Sequence, residues 1–211
     1  MTQNLRVKSS EFIDETNRIS FKFDGKTYYG FKGDTLASAL IANNVHLVGR
    51  SFKYHRPRGI MTSGSEEPNA IVQVNPNSNI TEPNARATEI EIYEGLEASS
   101  QNCWPSVNFD IGGINNFLAP LFPAGFYYKT FMWPKSFWEK YEFFIRHSAG
   151  LGKSPNTRDP DMYDHRNIHC DVLVVGAGIS GILAAKNAAK NNFKTLLLDE
   201  KNELGGSTIF E

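Results

Sequence analysis

The sequence predicts an α+β chain: a small module with one helix packed on a mixed sheet, an aromatic-rich stretch, and the opening β-α-β of a dinucleotide-binding domain. Three observations carry this. Residues 17–31 alternate apolar and polar about an Asp24-Gly25 turn, 11 of the 23 residues from Phe122 to Phe144 are aromatic, and Gly176-Ala177-Gly178-Ile179-Ser180-Gly181 follows an apolar run.

The first module reads strand, strand, helix, strands. Ile19, Phe21 and Phe23 alternate with polar residues, and Tyr29 and Phe31 continue the alternation past the turn, which is the pattern of a hairpin. Asp34 is placed to cap a helix whose Leu36, Ala39, Leu40 and Asn43 share a face, and Asn43-Asn44 ends it before Val45. Ile71, Val72 and Val74 suggest a strand, Ile90, Ile92 and Tyr93 another, and the Asn-, Pro- and Ser-rich residues 75–88 a loop between them.

Between helix and strand, Gly49 to Ile60 carries Arg50, Lys53, Arg56 and Arg58 with the rings of Phe52 and Tyr54. Such a loop suits a phosphate, a carboxylate or RNA bases, with a flavin phosphate or a protein partner fitting better than nucleic acid, or simply lies in solvent with its aromatics tucked inward. In the aromatic stretch, Pro123 and Pro134 interrupt Phe131, Trp133, Phe137, Trp138, Tyr141 and Phe144, so the rings serve either internal packing or contact with another domain or subunit. Residues 148–169 read as an exposed connector. His165, His169 and Cys170 lack a spaced fourth ligand and are read as the polar approach to a strand, so no metal residue is assigned.

Asp171 to Val175 is a nearly continuous apolar strand that feeds the glycine run directly. In a Rossmann-type turn Gly176 permits the tight bend, Gly178 lets the backbone approach a pyrophosphate, and Gly181 lets helix and strand pack closely. The helix presents its positive end to the phosphates. A second strand ends at Asp199-Glu200, and Asp199 lies 23 residues beyond Gly176. Asp199, with Glu200 as its alternative, is placed to accept from a ribose diol, and its charge disfavours a 2′-phosphate. Gly205-Gly206 offers a further close approach of backbone. The run opens 35 residues before Glu211, too few for a full doubly wound domain, so a truncated cofactor site is expected.

With 211 residues, 40% of them apolar, the chain is globular, and its net charge of −1 provides no field for nucleic acid. Residues 1–20 mix charges among isolated apolar residues, unlike a signal peptide, and no apolar run is long enough to span a membrane. Two distant cysteines, Cys103 and Cys170, point to a reducing compartment, the cytoplasm being the simplest.

The chain closely resembles the N-terminal portion of heterotetrameric sarcosine oxidase alpha subunits. The resemblance rests on Gly33-Asp34-Thr35-Leu36, on Gly49 to Gly59, on Glu67-Pro68-Asn69-Ala70, on Phe122 to Pro134 and on Gly176 to Gly206. It implies a ferredoxin-like β-grasp module over 1–98, an aromatic-rich packing segment and connector over 99–169, and the start of the dinucleotide-binding domain over 170–211. Related amine and proline dehydrogenase subunits hold a two-iron cluster through cysteines in that module. Here Ile60 to Glu66, after the Pro57-Arg58-Gly59 turn, contains no cysteine, so no iron–sulfur cluster is expected. The resemblance further implies oxidative demethylation of sarcosine to glycine, with hydrogen peroxide and methylenetetrahydrofolate formed, in a complex with beta, gamma and delta subunits. It places NAD on this subunit, FMN at the alpha–beta interface, and FAD on the beta subunit. Gly176, Gly178, Gly181, Asp199, Glu200, Gly205 and Gly206 are then cofactor-binding residues, and none is catalytic. The alternatives are a related amine or opine dehydrogenase subunit, or an assembly fragment without catalysis of its own.

Overall fold

A computed structural model describes residues 3, 5–6, 13–75, 79–121, 133–200 and 204–209. The chain divides into two compact units, Met1–Pro160 and Asp161–Glu211.

The first unit is built on a mixed sheet of five strands. β1 (Asp14–Phe23) and β2 (Lys26–Lys32) form the hairpin, and Asp24 and Gly25 take φ of 49° and 74°, as a two-residue primed turn requires. The turn pairs Phe21 with Tyr28 and Ile19 with Gly30. Directly paired residues share a face, so Tyr28 and Gly30, not Tyr29 and Phe31, lie on the face of Phe21. Tyr29 is exposed, and Gly30 is needed where it sits: an added Cβ would lie 2.4 Å from Ile92 Cδ1 and 3.1 Å from Ala39 Cβ.

Helix α1 (Leu36–Ala42) packs there, burying Leu36, Ala37, Ala39, Leu40 and Ala42. Its N-cap is Thr35, whose side chain accepts from Ser38 N at 3.2 Å, and not Asp34 as the sequence suggests. Asp34 is fully buried and otherwise engaged: it accepts from both Arg6 Nη atoms, at 3.1 and 2.6 Å, from Phe31 N and from the Ser38 hydroxyl. Asn44, at φ 63°, ends the helix.

β3 (Gly49–Arg50) and β4 (Pro57–Arg58) form a short ribbon. β5 (Ile71–Val74), β6 (Glu82–Arg86) and β7 (Glu97–Ser100) complete the main sheet in the order β2-β1-β7-β5-β6, with only the β1–β7 pair parallel. Two sequence expectations fail here. β6 lies inside the expected loop 75–88, because an edge strand paired on one side tolerates Pro83. Ile90 to Tyr93 is not a strand: Ile90 O and Ile92 N bond to the backbone of Leu36 and Asp34, and Ile92 plugs the core without a ladder. The core is Phe21, Phe23, Leu36, Leu40, Val48, Val72, Ile92 and Leu96 with small residues between them.

Helix α2 (Trp138–Ala149) ends at Gly150, in the left-handed region at φ 67°. Most of the aromatic word, 122–132, including Phe131, lies outside the described residues. Of the remaining expected rings, Trp133, Phe137 and Phe144 are exposed and Trp138 and Tyr141 half-buried, so none fills the core.

The second unit is a β-α-β. β8 (Val172–Val175) and β9 (Thr195–Leu198) pair in parallel from Val172–Thr195 to Val175–Leu198, joined through helix α3 (Ile179–Lys190). Val172 and Val174 are half-buried while Leu173 and Val175 are exposed, so α3 covers one face of the pair.

Candidate functional site

The cluster at the C-terminal ends of β8 and β9 grows from the need to turn a strand into a helix. Gly176 takes φ of 98°, a conformation that side chains rarely adopt, and its N–H reaches Leu198 O across the ladder at 2.7 Å. Gly178 is the N-cap of α3 and brings no side-chain cap; a Cβ added there would meet nothing within 4 Å. Gly181, one turn on, allows no Cβ at all: it would lie 1.9 Å from Gly176 O. The helix therefore crosses the strand end closely and leaves open space beside its first turn, the shape of a phosphate cradle.

Gly205 and Gly206 close against this turn. Gly205 N donates to Ala177 O at 2.9 Å and bridges Gly178 in parallel, and a Cβ on Gly206 would approach Gly178 Cα to 3.0 Å. Asp199 Oδ2 accepts from Ala177 N at 2.5 Å, tying the end of β9 to the glycine turn, and Glu200 beside it is exposed. Gly176, Gly178, Gly181, Gly205, Gly206 and Asp199 thus converge on one end of the parallel pair. The bond from Ala177 N to Asp199 had no sequence signal, because it joins backbone to side chain across 22 positions.

The cationic loop of the first unit is held in the fold. His55 is buried at φ 51°; its Nδ1 lies 2.7 Å from Asp110 Oδ2 and its Nε2 3.1 Å from Ser148 O. Gly112 lies flat against the ring, since a Cβ there would sit 2.3 Å from Nδ1. Arg50 donates to Val107 O and His55 O, Arg56 to Asn116 Oδ1, and Lys53 and Arg56 stack over Tyr54. The loop's polar groups knit three segments together. Asp110, which anchors them, was not picked out from the sequence, where an isolated Asp has no distinguishing neighbour.

Residues 16–103 match the family of 2Fe-2S iron-sulfur cluster binding domains, and residues 171–209 the family of FAD dependent oxidoreductases. Sarcosine oxidase subunit alpha of Rhizobium meliloti (strain 1021) is 54% identical over 97% of this chain. The chain matches the N-terminal portion of sarcosine oxidase alpha subunits. The subunits of Corynebacterium sp. strain U-96 and strain P-1 are 31% and 34% identical over 92% of the chain. The chain spans 21% of the length of the first of these alpha subunits and 16% of each of the other two.

The flavin match overturns the expected placing of NAD on this subunit and of FAD on the beta subunit, because it falls on β8, α3 and β9 of this chain. The physical reason is that a glycine turn and a strand-end acid read only the pyrophosphate and ribose, which FAD and NAD share. The cradle fits a flavin dinucleotide.

The two-iron cluster does not fit the first unit. A plant-type cluster takes four thiolates, whereas the matched span 16–103 contains one cysteine, Cys103. Burial pushes its thiol up, away from the thiolate form a metal needs. Among the described residues no group of three or more His, Cys, Asp or Glu side chains is arranged to hold a metal ion, and no helix is long and apolar enough to cross a membrane.

Proposed function

We propose that this chain is the nucleotide-holding N-terminal part of an alpha subunit in a sarcosine-oxidising flavoprotein complex. The observation that carries the proposal is the 54% identity over 97% of the chain to a sarcosine oxidase alpha subunit. In this reading the ferredoxin-like module spans 1–98, the aromatic segment and connector 99–169, and the dinucleotide-binding start 170–211.

Gly176, Gly178 and Gly181 hold the pyrophosphate at the N-terminus of α3, Gly205 and Gly206 close the turn, and Asp199 or Glu200 meets the ribose. FAD, when bound, supplies the two-electron acceptor for amine oxidation. The chain's own residues bind and orient; none is assigned to proton or hydride transfer. The complete reaction oxidises sarcosine by two electrons, reduces dioxygen to hydrogen peroxide, releases glycine and passes the one-carbon unit to tetrahydrofolate. Beta, gamma and delta subunits complete the complex, and the exposed rings of Trp133, Phe137 and Phe144 support a subunit-contact role for the aromatic segment.

The native complex is expected to form hydrogen peroxide from sarcosine and methylenetetrahydrofolate when tetrahydrofolate is present. Turnover of another secondary amine with none of sarcosine would contradict the assignment.

A further inference from the structure

The loop from Gly59 to Ala70 joins β4 to β5 and falls within the span that matches a cluster-binding family, yet it has no thiolate to gather it. It is gathered by a carboxylate. Glu67 is 1% exposed, and its Oε2 accepts from Met61 N and Thr62 N, both at 2.7 Å, with the Thr62 hydroxyl at 3.4 Å. Its Oε1 accepts from Asn69 N at 2.7 Å and Ala70 N at 3.1 Å. Four backbone amides from both arms of the loop therefore converge on one anion. Its own N–H donates to Gly64 O, which also accepts from Thr88 Oγ1 at 2.6 Å, and Ala70 O accepts from Ala87 N, so the gathered loop is pinned to the sheet.

We infer that the Glu67 carboxylate does in this module the loop-organising work that a bound cluster does in a metal-dependent one, so the loop is complete without metal. Two physical points support this. A metal site organises its loop by drawing donors from several positions toward one charge, and here the polarity is inverted: one negative charge draws N–H donors inward. Burial raises the Glu67 pKa, but the bonds from Thr62, Met61, Asn69 and Ala70 outweigh it and hold the carboxyl below its usual range. The inference does not depend on which amine the complex oxidises.

The test is residue-resolved amide hydrogen exchange on the intact protein, with the Glu67→Gln variant beside it. In the native protein the amides of Met61, Thr62, Asn69 and Ala70 are expected to be protected, although Met61 and Thr62 lie in exposed positions. Glu67→Gln keeps the shape but turns an NH₂ toward two of the donors, so exchange at one pair should rise about tenfold or more, with α3 unchanged. Exchange of the native amides at open-chain rates would overturn the inference, whether or not the variant folds. So would anaerobic treatment with iron and sulfide that loads a stoichiometric cluster and raises the melting temperature of the native protein.

Discussion

The two folded units use similar apolar residues to opposite effect. In the first, Phe21, Phe23, Leu36, Leu40 and Leu96 are at most 2% exposed because a helix closes on a five-stranded sheet. In the second, Leu173 is 54%, Val175 78% and Leu183 60% exposed, because two strands and one helix close only one face. Hydrophobic sequence alone does not make a core; a second layer does. The two units also differ in what their special residues do. Buried carboxylates in the first, Asp34 and Glu67, each gather several donors and stabilise loops. Glycines in the second let backbones pack closely at Gly181 and Gly206 and leave space open beside the turn at Gly178.

The largest expected break in this contrast comes from truncating the core. Leu40→Ala should cost about 2–5 kcal/mol of unfolding free energy in the first unit, read by denaturant or thermal melting. A loss below about 0.5 kcal/mol would mean that α1 is not the lid of that core.

Acid sharpens the role of Glu67. A carboxylate whose folded pKa is depressed contributes stability above its unfolded value, near pH 4.3, and loses it as pH falls through the folded value. The stability gap between the native protein and Glu67→Gln should be full near neutral pH and close below about pH 4.3. Other carboxylates titrate in both proteins and cancel. A gap that stays constant through the acid range would remove the charge from the explanation.

The smallest effect is expected at Leu183→Ala in the 211-residue chain taken by itself, where it should change stability by no more than about 0.5 kcal/mol, since the side chain is there largely in water. A larger loss in the same melting experiment would show that this face is covered in solution.

Much of this organisation was legible in the residues. The Asp24-Gly25 turn, the helix over Leu36 to Ala42 and the strand–glycine–helix of the second unit were readable because each depends on contacts within a few residues. What could not be read depends on distant partners. β7 is the middle strand, paired on both sides, yet its Glu-Ala-Ser-Ser sequence carries no strand signal; position between two ladders makes it a strand. The cap passed from Asp34 to Thr35 because Arg6, 28 positions away, claims the carboxylate. At the candidate site the glycines and Asp199 stood out by spacing, whereas the choice of FAD over NAD did not, because the motif touches only the half that both share.

Flavin analysis of the purified complex, carrying either the native alpha subunit or its Gly181→Val variant, tests the cradle most directly. A side chain at position 181 collides with Gly176 O and must push α3 off the strand end. The native complex should hold an FAD for each alpha subunit that the variant complex has lost, while the first unit of the variant melts as in the native protein. Equal FAD content in the two complexes would contradict a flavin dinucleotide at Gly176 to Gly181.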